Sequence, residues 1–410
     1  MRVVLGSNPL ADRRKPVMKV MLLTETLLPG GAETFIVRFA NALAETHSVT
    51  LVTMHSELVH PALRDKISDR VDFKSISLPA KPLLWKIGSL LQKLRVDWSP
   101  VDHFVCARVR NLVEQEAPDL IHSHLFHADS CASKVVQRAR APIAHVLTVH
   151  GDYAAYCCGE ADAQVVDFDA RLADIVERAD AIVGVAEAHI GFFGERFPRA
   201  RDRLHLIYNG LDAPVLEPPL TKKQLGLPEG KFLFGMVSRG VEKKGWARAV
   251  EAFERLNRQD AALVLVGEGP AIERIKARTR SNAIVFAGFS PDPAELIRHF
   301  DVCLLPTLFP NESLPTVVTE YLAWSKPIIA TDVGEIRKML ADPDGRLAGL
   351  LVDLEKIDRS ADELELQMAL LLDDARLRFD LASRAPRAFE KFRMDRCASK
   401  YLELYRKLAC

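Results

Sequence analysis

Short apolar runs alternate with segments of helical periodicity along most of this chain, and this alternation restricts its fold more than any other feature. Runs such as Phe232–Val237 and Val302–Leu305 have the length of strands that are buried on both faces. A helical pattern follows the first of them over residues 247–256. A repeated order of strand, loop and helix predicts parallel sheets, with ligand sites at the carboxyl ends of the strands.

Length and charge narrow the class of protein further. The chain has 410 residues, of which 48% are hydrophobic, so two domains with cores of their own are expected. Its 55 basic and 55 acidic residues cancel, which argues against nucleic acid held by bulk charge. No apolar run approaches the roughly 18–20 residues of a membrane span, and no signal peptide is evident. Seven cysteines without metal-ligand spacing fit a reducing compartment, so we expect a cytoplasmic protein.

Prolines and changes of pattern divide the chain into segments. Residues 1–17 precede the first convincing strand and are interpreted as an N-terminal extension. Residues 18–213 form the first predicted domain, and the proline-rich residues 214–220 form a stiff linker. A second domain is predicted over residues 221–388, followed by a final helix over residues 389–410.

Residues 305–331 combine a strand end, a loop, a helix and a second strand in one unit. Ser313 is predicted to cap this helix, with Pro315 in its first turn. Glu312 precedes the helix and Glu320 lies about two turns inside it, roughly 10 Å apart by helix rise. That separation is too large for a carboxylate dyad, but it suits the two ends of one extended ligand. The helix N-terminus between them is a natural site for an anion.

Two cations are predicted to face the same ligand from the loop after the strand at Phe232–Val237. Arg239 and Lys244 follow that strand, where a crevice should open. A guanidinium and an ammonium there could stabilise a diphosphate. The alternative is a solvated charged loop, which describes Glu242 and Lys243 better than it describes Arg239 and Lys244.

The first half offers a glycine turn and several histidines. Gly30 and Gly31 separate the first strand from a helix, an arrangement that brings backbone amides close to phosphate. His150 follows a buried strand directly. Three histidines that are close in the sequence suggest a metal site: His122, His124 and His127. No nearby cysteine or carboxylate completes a ligand set, so no metal is predicted. His122 should point into a core.

Residues 83–95 carry apolar side chains at helical spacing, together with basic residues and a tryptophan. Such a pattern is compatible with docking on an anionic membrane surface. The alternative, a helix that faces the core with one solvated side, is favoured slightly.

These segments together resemble the retaining family-4 glycosyltransferases, which have the GT-B fold. The stretch E-S-L-P-x-x-x-x-E from Glu312 resembles the family's E-x7-E signature, and S-R-G-V-E-K-K-G resembles its G-R-x4-K-G diphosphate pattern. P-G-G-A-E, I-H-S-H, T-V-H and I-Y-N-G-L-D occur in the family's order in the first half. The chain departs from the family's patterns at four positions: Ser238, Ser325 and Glu335 replace glycines, and Lys338 replaces a glutamate.

The resemblance implies two Rossmann-like domains that face each other across a cleft, with the C-terminal helix crossing back to the first domain. It implies a nucleotide-diphosphate sugar as donor, UDP-sugar being the first expectation, with no cofactor and no metal. The first domain would hold a glycan, lipid-linked or small-molecule acceptor. The implied catalytic residues are Glu312 and His150 at the donor sugar and Arg239 and Lys244 at the diphosphate. The remaining donor-binding residues are Gly30, Gly31, Ser313, Leu314, Pro315 and Thr316 around the phosphates and Glu320 at the ribose.

Two other functions fit the same fold. A nucleotide-sugar 2-epimerase would convert the sugar nucleotide without any acceptor. A non-catalytic partner of a glycosyltransferase would keep the fold for binding only. The complete set of Arg239, Lys244, Glu312 and Glu320 argues against the second of these alternatives.

Overall fold

The protein is described by a computed structural model, which covers residues 17–78, 81–93, 99–151, 153–157, 165, 167–214, 218–290 and 292–409. The linker residues 215–217 and residues 1–16 of the predicted extension lie outside this description.

Among the residues described, seven parallel strands form the first sheet, in the order β3-β2-β1-β4-β5-β6-β7. Their bounds are β1 Lys19–Thr24, β2 Ser48–Thr53, β3 Val71–Ser75, β4 Leu120–His124, β5 Ala144–Val149, β6 Ala181–Gly184 and β7 Leu204–Leu206. The helices of this domain are α1 Gly31–Ala44, α2 Pro61–Arg64, α3 Lys81–Lys93, α4 Pro100–Glu116, α5 Phe126–Gln137, α6 Tyr153–Cys157, α7 Phe168–Arg178 and α8 Glu187–Arg196. The central strands β1, β4 and β5 are buried almost throughout, because helices cover both faces of the sheet.

In the described part of the second domain, six parallel strands form a sheet in the order β10-β9-β8-β11-β12-β13. Their bounds are β8 Phe232–Val237, β9 Ala261–Val266, β10 Ile284–Gly288, β11 Val302–Leu305, β12 Ile328–Thr331 and β13 Gly349–Val352. The helices are α9 Trp246–Leu256, α10 Ile272–Arg278, α11 Ala294–Ile297, α12 Thr316–Ala323, α13 Ile336–Leu340, α14 Leu354–Arg359, α15 Asp362–Asp373 and α16 Ala375–Phe389. The predicted fold of two parallel-sheet α/β domains is therefore confirmed.

Strand order reverses in the middle of each sheet, and these reversals position the site. β1 lies between β2 and β4, and β8 lies between β9 and β11. At such a switch point the connections leave to opposite faces of the sheet, and a crevice opens beyond the carboxyl ends of the strands. The glycine turn follows β1 and the Arg239 loop follows β8, so both loops lie at these crevices.

The last helix, α17 Met394–Leu408, completes the core of the first domain. Its buried side chains pack with those of α1 and the first sheet: Met394, Cys397, Ala398, Tyr401, Leu404 and Tyr405. The predicted crossing helix is thus confirmed, but its predicted start at residue 389 is wrong. α16 ends at Phe389, a 3-10 turn occupies Glu390–Phe392, and α17 begins only at Met394. Leu211 fixes this break, because its N–H donates to the Phe392 carbonyl and its carbonyl accepts from the Met394 N–H.

Candidate active site

A cavity of about 610 Å³ lies between the two domains. Four of the predicted donor-binding residues line it: Gly30 and Gly31 from the first domain, and Thr316 and Glu320 from the second. The domains approach closely here, since a Cβ atom on Gly31 would lie 2.6 Å from Thr316 Oγ1. Glycine at this position lets the turn after β1 lie against the start of α12.

The start of α12 differs from the prediction. The helix begins at Thr316, and Pro315 occupies the N-cap position in an extended conformation. The Ser313 hydroxyl does not cap it, because that hydroxyl donates instead to the His150 carbonyl at 3.2 Å, across the domain boundary. Leu314 is buried beneath the loop. No side chain of the described residues caps α12, so its first amides can bind an anion.

Glu312 lies beside Lys244 and is 6% exposed. The Lys244 ammonium donates to Glu312 Oε1, and the Thr307 hydroxyl donates to the same oxygen at 2.8 Å. The Glu312 carbonyl accepts the N–H of Glu335 at 3.1 Å. The sequence had suggested separate roles for Lys244 and Glu312, and the structure joins them in one ion pair.

Glu320 faces Arg38, a residue that the sequence analysis missed. Arg38 Nη2 lies 3.8 Å from Glu320 Oε1, so the pair spans the cavity from α1 to α12. Burial raises the pKa of Glu320, and the nearby Arg38 charge partly opposes this effect. Arg38 lies two helical turns after Gly31 and therefore on the same face of α1. That spacing was a signal that could have revealed it.

His150 lies at the carboxyl end of β5 within a group of aromatic rings. Its Nε2 is 3.0 Å from His124 Nδ1, and its Nδ1 is 3.4 Å from Asn209 Nδ2. Burial lowers the pKa of His150 to about 3, so the ring is neutral at physiological pH. His122, predicted to point into a core, is fully buried and contacts Tyr405 and Thr148.

Arg239 is exposed at the end of β8, and its charge acts on the Glu33 carboxyl at the start of α1. Burial is the larger effect there and raises the pKa of Glu33. Ser238, which replaces a glycine of the family pattern, accepts a hydrogen bond from the buried Trp246 indole at 2.7 Å. The serine therefore has a structural partner within the second domain.

Two further observations concern metal ions and membranes. Within the described ranges, no group of three or more His, Cys, Asp or Glu side chains could hold a metal ion. None of the helices that the structure describes is long and apolar enough to cross a membrane.

Comparisons with known proteins show the family to which the chain belongs. A family model described as "Glycosyltransferase Family 4" matches residues 29–214, and one described as "Glycosyl transferases group 1" matches residues 219–387. Alpha-maltose-1-phosphate synthase of Mycolicibacterium smegmatis is 30% identical over 323 residues, which cover 72% of this chain and 80% of that protein. The D-inositol 3-phosphate glycosyltransferase of Xylanimonas cellulosilytica is 24% identical over 404 residues, covering 92% of this chain and 91% of its own.

Solved structures show the same fold at low identity. Anabaena HepE in complex with UDP and glucose superposes with a TM-score of 0.73 and 18% identity, covering 95% of this chain and all of its own. Sucrose-phosphate synthase from Thermosynechococcus elongatus gives a TM-score of 0.70 and 19% identity, covering 95% of this chain and 99% of its own. The chain therefore belongs to the group 1 glycosyltransferases and is a glycosyltransferase with the GT-B fold.

Proposed function

We propose that the protein transfers a sugar, with retention of configuration, from a nucleotide-diphosphate sugar to an acceptor held by the first domain. The observation that carries this proposal is the close approach of Gly31 to Thr316 at the uncapped start of α12. A diphosphate bound there would meet amides from both the glycine turn and the helix. Arg239 and Lys244 would add positive charge from the loop after β8.

The chemistry follows from where charge develops. As the bond between the sugar C1 and the diphosphate oxygen breaks, the sugar becomes oxocarbenium-like and negative charge grows on the diphosphate. Preorganised amides and cations that stabilise this charge are worth more than any other single effect available here. One oxygen of Glu312 already accepts hydrogen bonds from Lys244 and Thr307, which suits a carboxylate that stabilises charge near the sugar.

Glu320 would bind the nucleoside at the other end of the cavity. It lies beyond the start of α12, and Arg38 faces it from α1. UDP is our first choice of nucleotide, because the solved relative HepE was crystallised with UDP, UDP and glucose, and UDP-glucose. The backbone carbonyl of His150 accepts the hydrogen bond of Ser313, and the neutral ring of His150 would line the sugar end of the site.

A donor panel tests this function. UDP-, ADP- and GDP-sugars are screened by thermal shift and by slow donor hydrolysis, in the presence and absence of EDTA. NMR of the product then reports the anomeric configuration. We expect one donor to stabilise the protein, and we expect transfer with retention that survives EDTA. An inverted product would contradict the proposed mechanism, and acceptor-independent conversion to another sugar nucleotide would favour the epimerase.

We also propose that α3 brings the first domain to an anionic membrane surface, at the cytoplasmic face, where a lipid-linked acceptor would be accessible. Leu83, Ile87 and Leu90 form an exposed row along one face of α3, with Leu83 60% and Leu90 58% exposed, while Leu84 packs on the core. Lys86 is exposed on the same helix. Residues 94 and 95 of the predicted amphipathic segment lie outside the described residues. Hydrophobic and basic side chains together are typical of helices that lie in a membrane interface.

Sedimentation with vesicles tests the membrane proposal. The wild type should bind vesicles that contain phosphatidylglycerol at low salt, bind them less at high salt, and ignore neutral vesicles. The double variant Leu83→Ser/Leu90→Ser should lose this binding. Leu366→Ser is the matched control, because Leu366 is an exposed leucine of the second domain. Equal binding by the wild type and the double variant would contradict the membrane proposal and would identify α3 as an ordinary solvated helix.

A further inference from the structure

Two of the departures from the family pattern meet in one contact between the domains. Glu335 and Lys338 follow β12 in the second domain, and both contact Glu187, the first residue of α8 in the first domain. Glu335 is a carboxylate only 2% exposed. A buried charge is costly unless it is paired and hydrogen-bonded, so its partners indicate what it does.

Both carboxylate oxygens of Glu335 accept hydrogen bonds from residues of the first domain. Oε1 accepts from the Tyr208 hydroxyl at 2.7 Å, and Oε2 accepts from the Glu187 N–H at 3.2 Å. Tyr208 lies just after β7, the last strand of the first sheet. Ala186 precedes α8, and its methyl group cannot accept a hydrogen bond. Glu335 therefore caps α8 from the other domain, where the helix dipole also favours a negative charge.

Positive charge surrounds this contact on the second-domain side. Lys338 Nζ pairs with the Glu187 carboxylate and lies 3.8 Å from Glu335 Oε2. Lys391 donates to the carbonyls of Lys338 and Ala341, and burial lowers its pKa to about 8. The carboxylate of Glu335 thus has both a cation and two donors, and it meets both donors only while the domains are in contact.

The backbone of the same residue holds the active-site loop. The Glu335 N–H donates to the Glu312 carbonyl at 3.1 Å. Gly334 before it has φ +53°, and a Cβ atom there would lie 1.8 Å from the Glu312 carbonyl oxygen. Only glycine permits this approach. Glu335 therefore contacts the first domain through its side chain and holds Glu312 in position through its backbone.

We propose that Glu335 is a positioning residue that couples closure of the two domains to the placement of Glu312. This inference rests on the proposed role of Glu312 at the donor sugar. When the domains separate, Glu335 loses both donors from Tyr208 and Glu187, and the loop that it holds loses its fixed point on the first domain. The site is then complete only in the closed protein.

Kinetics of three variants test the coupling: Glu335→Gln, Tyr208→Phe and the double variant. Each single variant should lower kcat by about tenfold to a hundredfold, the loss expected for one hydrogen bond to a charged group. The donor KM and the affinity for UDP in calorimetry should change less than threefold. The double variant should be no slower than Glu335→Gln alone, because both changes break one contact. Glu355→Gln, an exposed carboxylate of α14, is the matched control and should behave as the wild type.

Small-angle X-ray scattering tests the same inference without any activity. Glu335→Gly should increase the radius of gyration of the ligand-free protein, and Tyr208→Phe should increase it less. A wild-type kcat in Glu335→Gln, additive losses in the double variant, or an unchanged radius of gyration in Glu335→Gly would each overturn the proposal. If the wild type transfers no sugar from any donor, the proposed function fails while the scattering result still decides whether Glu335 holds the domains together.

Discussion

The ammonium of Lys244 donates a hydrogen bond to the carboxylate of Glu312, although the two residues belong to loops that follow different strands of the second sheet. Replacing Lys244 by Met leaves a mostly buried carboxylate without its cation. Removing one partner of a buried pair is strongly destabilising, and some solvent reaches Lys244, so we expect the free energy of unfolding to fall by about 2–3 kcal/mol. Urea denaturation measures this change. The double variant Lys244→Met/Glu312→Leu should regain stability but not activity, and an unchanged midpoint in Lys244→Met would contradict the pairing.

Arg239 should behave differently, because it is exposed at the end of β8. Arg239→Ala should lower kcat/KM by the equivalent of about 2–3 kcal/mol of transition-state stabilisation, since it removes a charge that would face the developing diphosphate anion in the proposed donor site. The unfolding midpoint should stay at the wild-type value. Steady-state kinetics and urea denaturation of the same preparation separate the two effects. Wild-type turnover would remove Arg239 from the donor site.

Glu320 and Glu312 should differ in the kinetic constant that they control. The ribose does not change during transfer, so a ribose contact is uniform binding, and Glu320→Gln should mainly raise the donor KM. Glu312→Gln should mainly lower kcat and should bind free UDP almost normally. Calorimetry with UDP on both variants, beside kinetics, distinguishes them. If Glu312→Gln loses UDP affinity while Glu320→Gln loses only turnover, the donor lies in the opposite direction along the cleft.

Asp129 should make the stability of the first domain depend on pH. Burial raises its pKa from 3.8 to about 7, against the opposing hydrogen bonds from Ser123 and Tyr153. Between pH 4 and pH 7 the native state keeps a proton that the unfolded chain has released. This contribution to stability is therefore complete below the unfolded pKa and is lost as pH rises to 7, at up to about 1.4 kcal/mol per pH unit.

Asp129→Asn isolates that contribution, because the buried histidines titrate alike in both proteins. Burial lowers the pKa of His145 to about 4, so the histidines raise stability as pH rises over much of the same window. The difference in unfolding free energy, wild type minus variant, should decrease from pH 4.5 to pH 7. Chemical denaturation at four pH values measures it. A constant difference would show that Asp129 is ionised throughout.

Ser325 has φ +54°, a left-handed conformation in which a side chain is strained. It stands where the family pattern has glycine. Ser325→Gly should therefore stabilise the protein by about 0.5–1 kcal/mol, the strain relieved less the added freedom of the unfolded chain. Thermal unfolding measures the gain. Ser360→Gly is the control, since Ser360 is extended with φ −154° and should lose stability or stay unchanged.

The sequence predicted strands best where both faces are buried. The bounds of Phe232–Val237 and Val302–Leu305 agree with the structure, because continuous apolar runs mark strands in parallel sheets. The start of α12 was predicted wrongly, because the partner of Ser313 is a carbonyl at residue 150, and no local rule indicates so distant a contact. The exposure of the apolar row on α3 could not be predicted from the sequence either. Helical periodicity shows that a helix has an apolar face, but it does not show what covers that face. Arg38 could have been predicted as a site residue, because its spacing from Gly31 places both on the same face of α1.

The tyrosines of α17 have a consequence for how the chain is made. Tyr405 and Tyr401 reach His122 and Thr148 in the centre of the first sheet, so the core of the first domain includes side chains from both ends of the sequence. During translation the first half leaves the ribosome with that core unfinished, and it must wait for the entire second half before its last helix arrives. A chimera that exchanges the two halves with a relative must therefore keep α17 with the first half, or a foreign helix will meet His122.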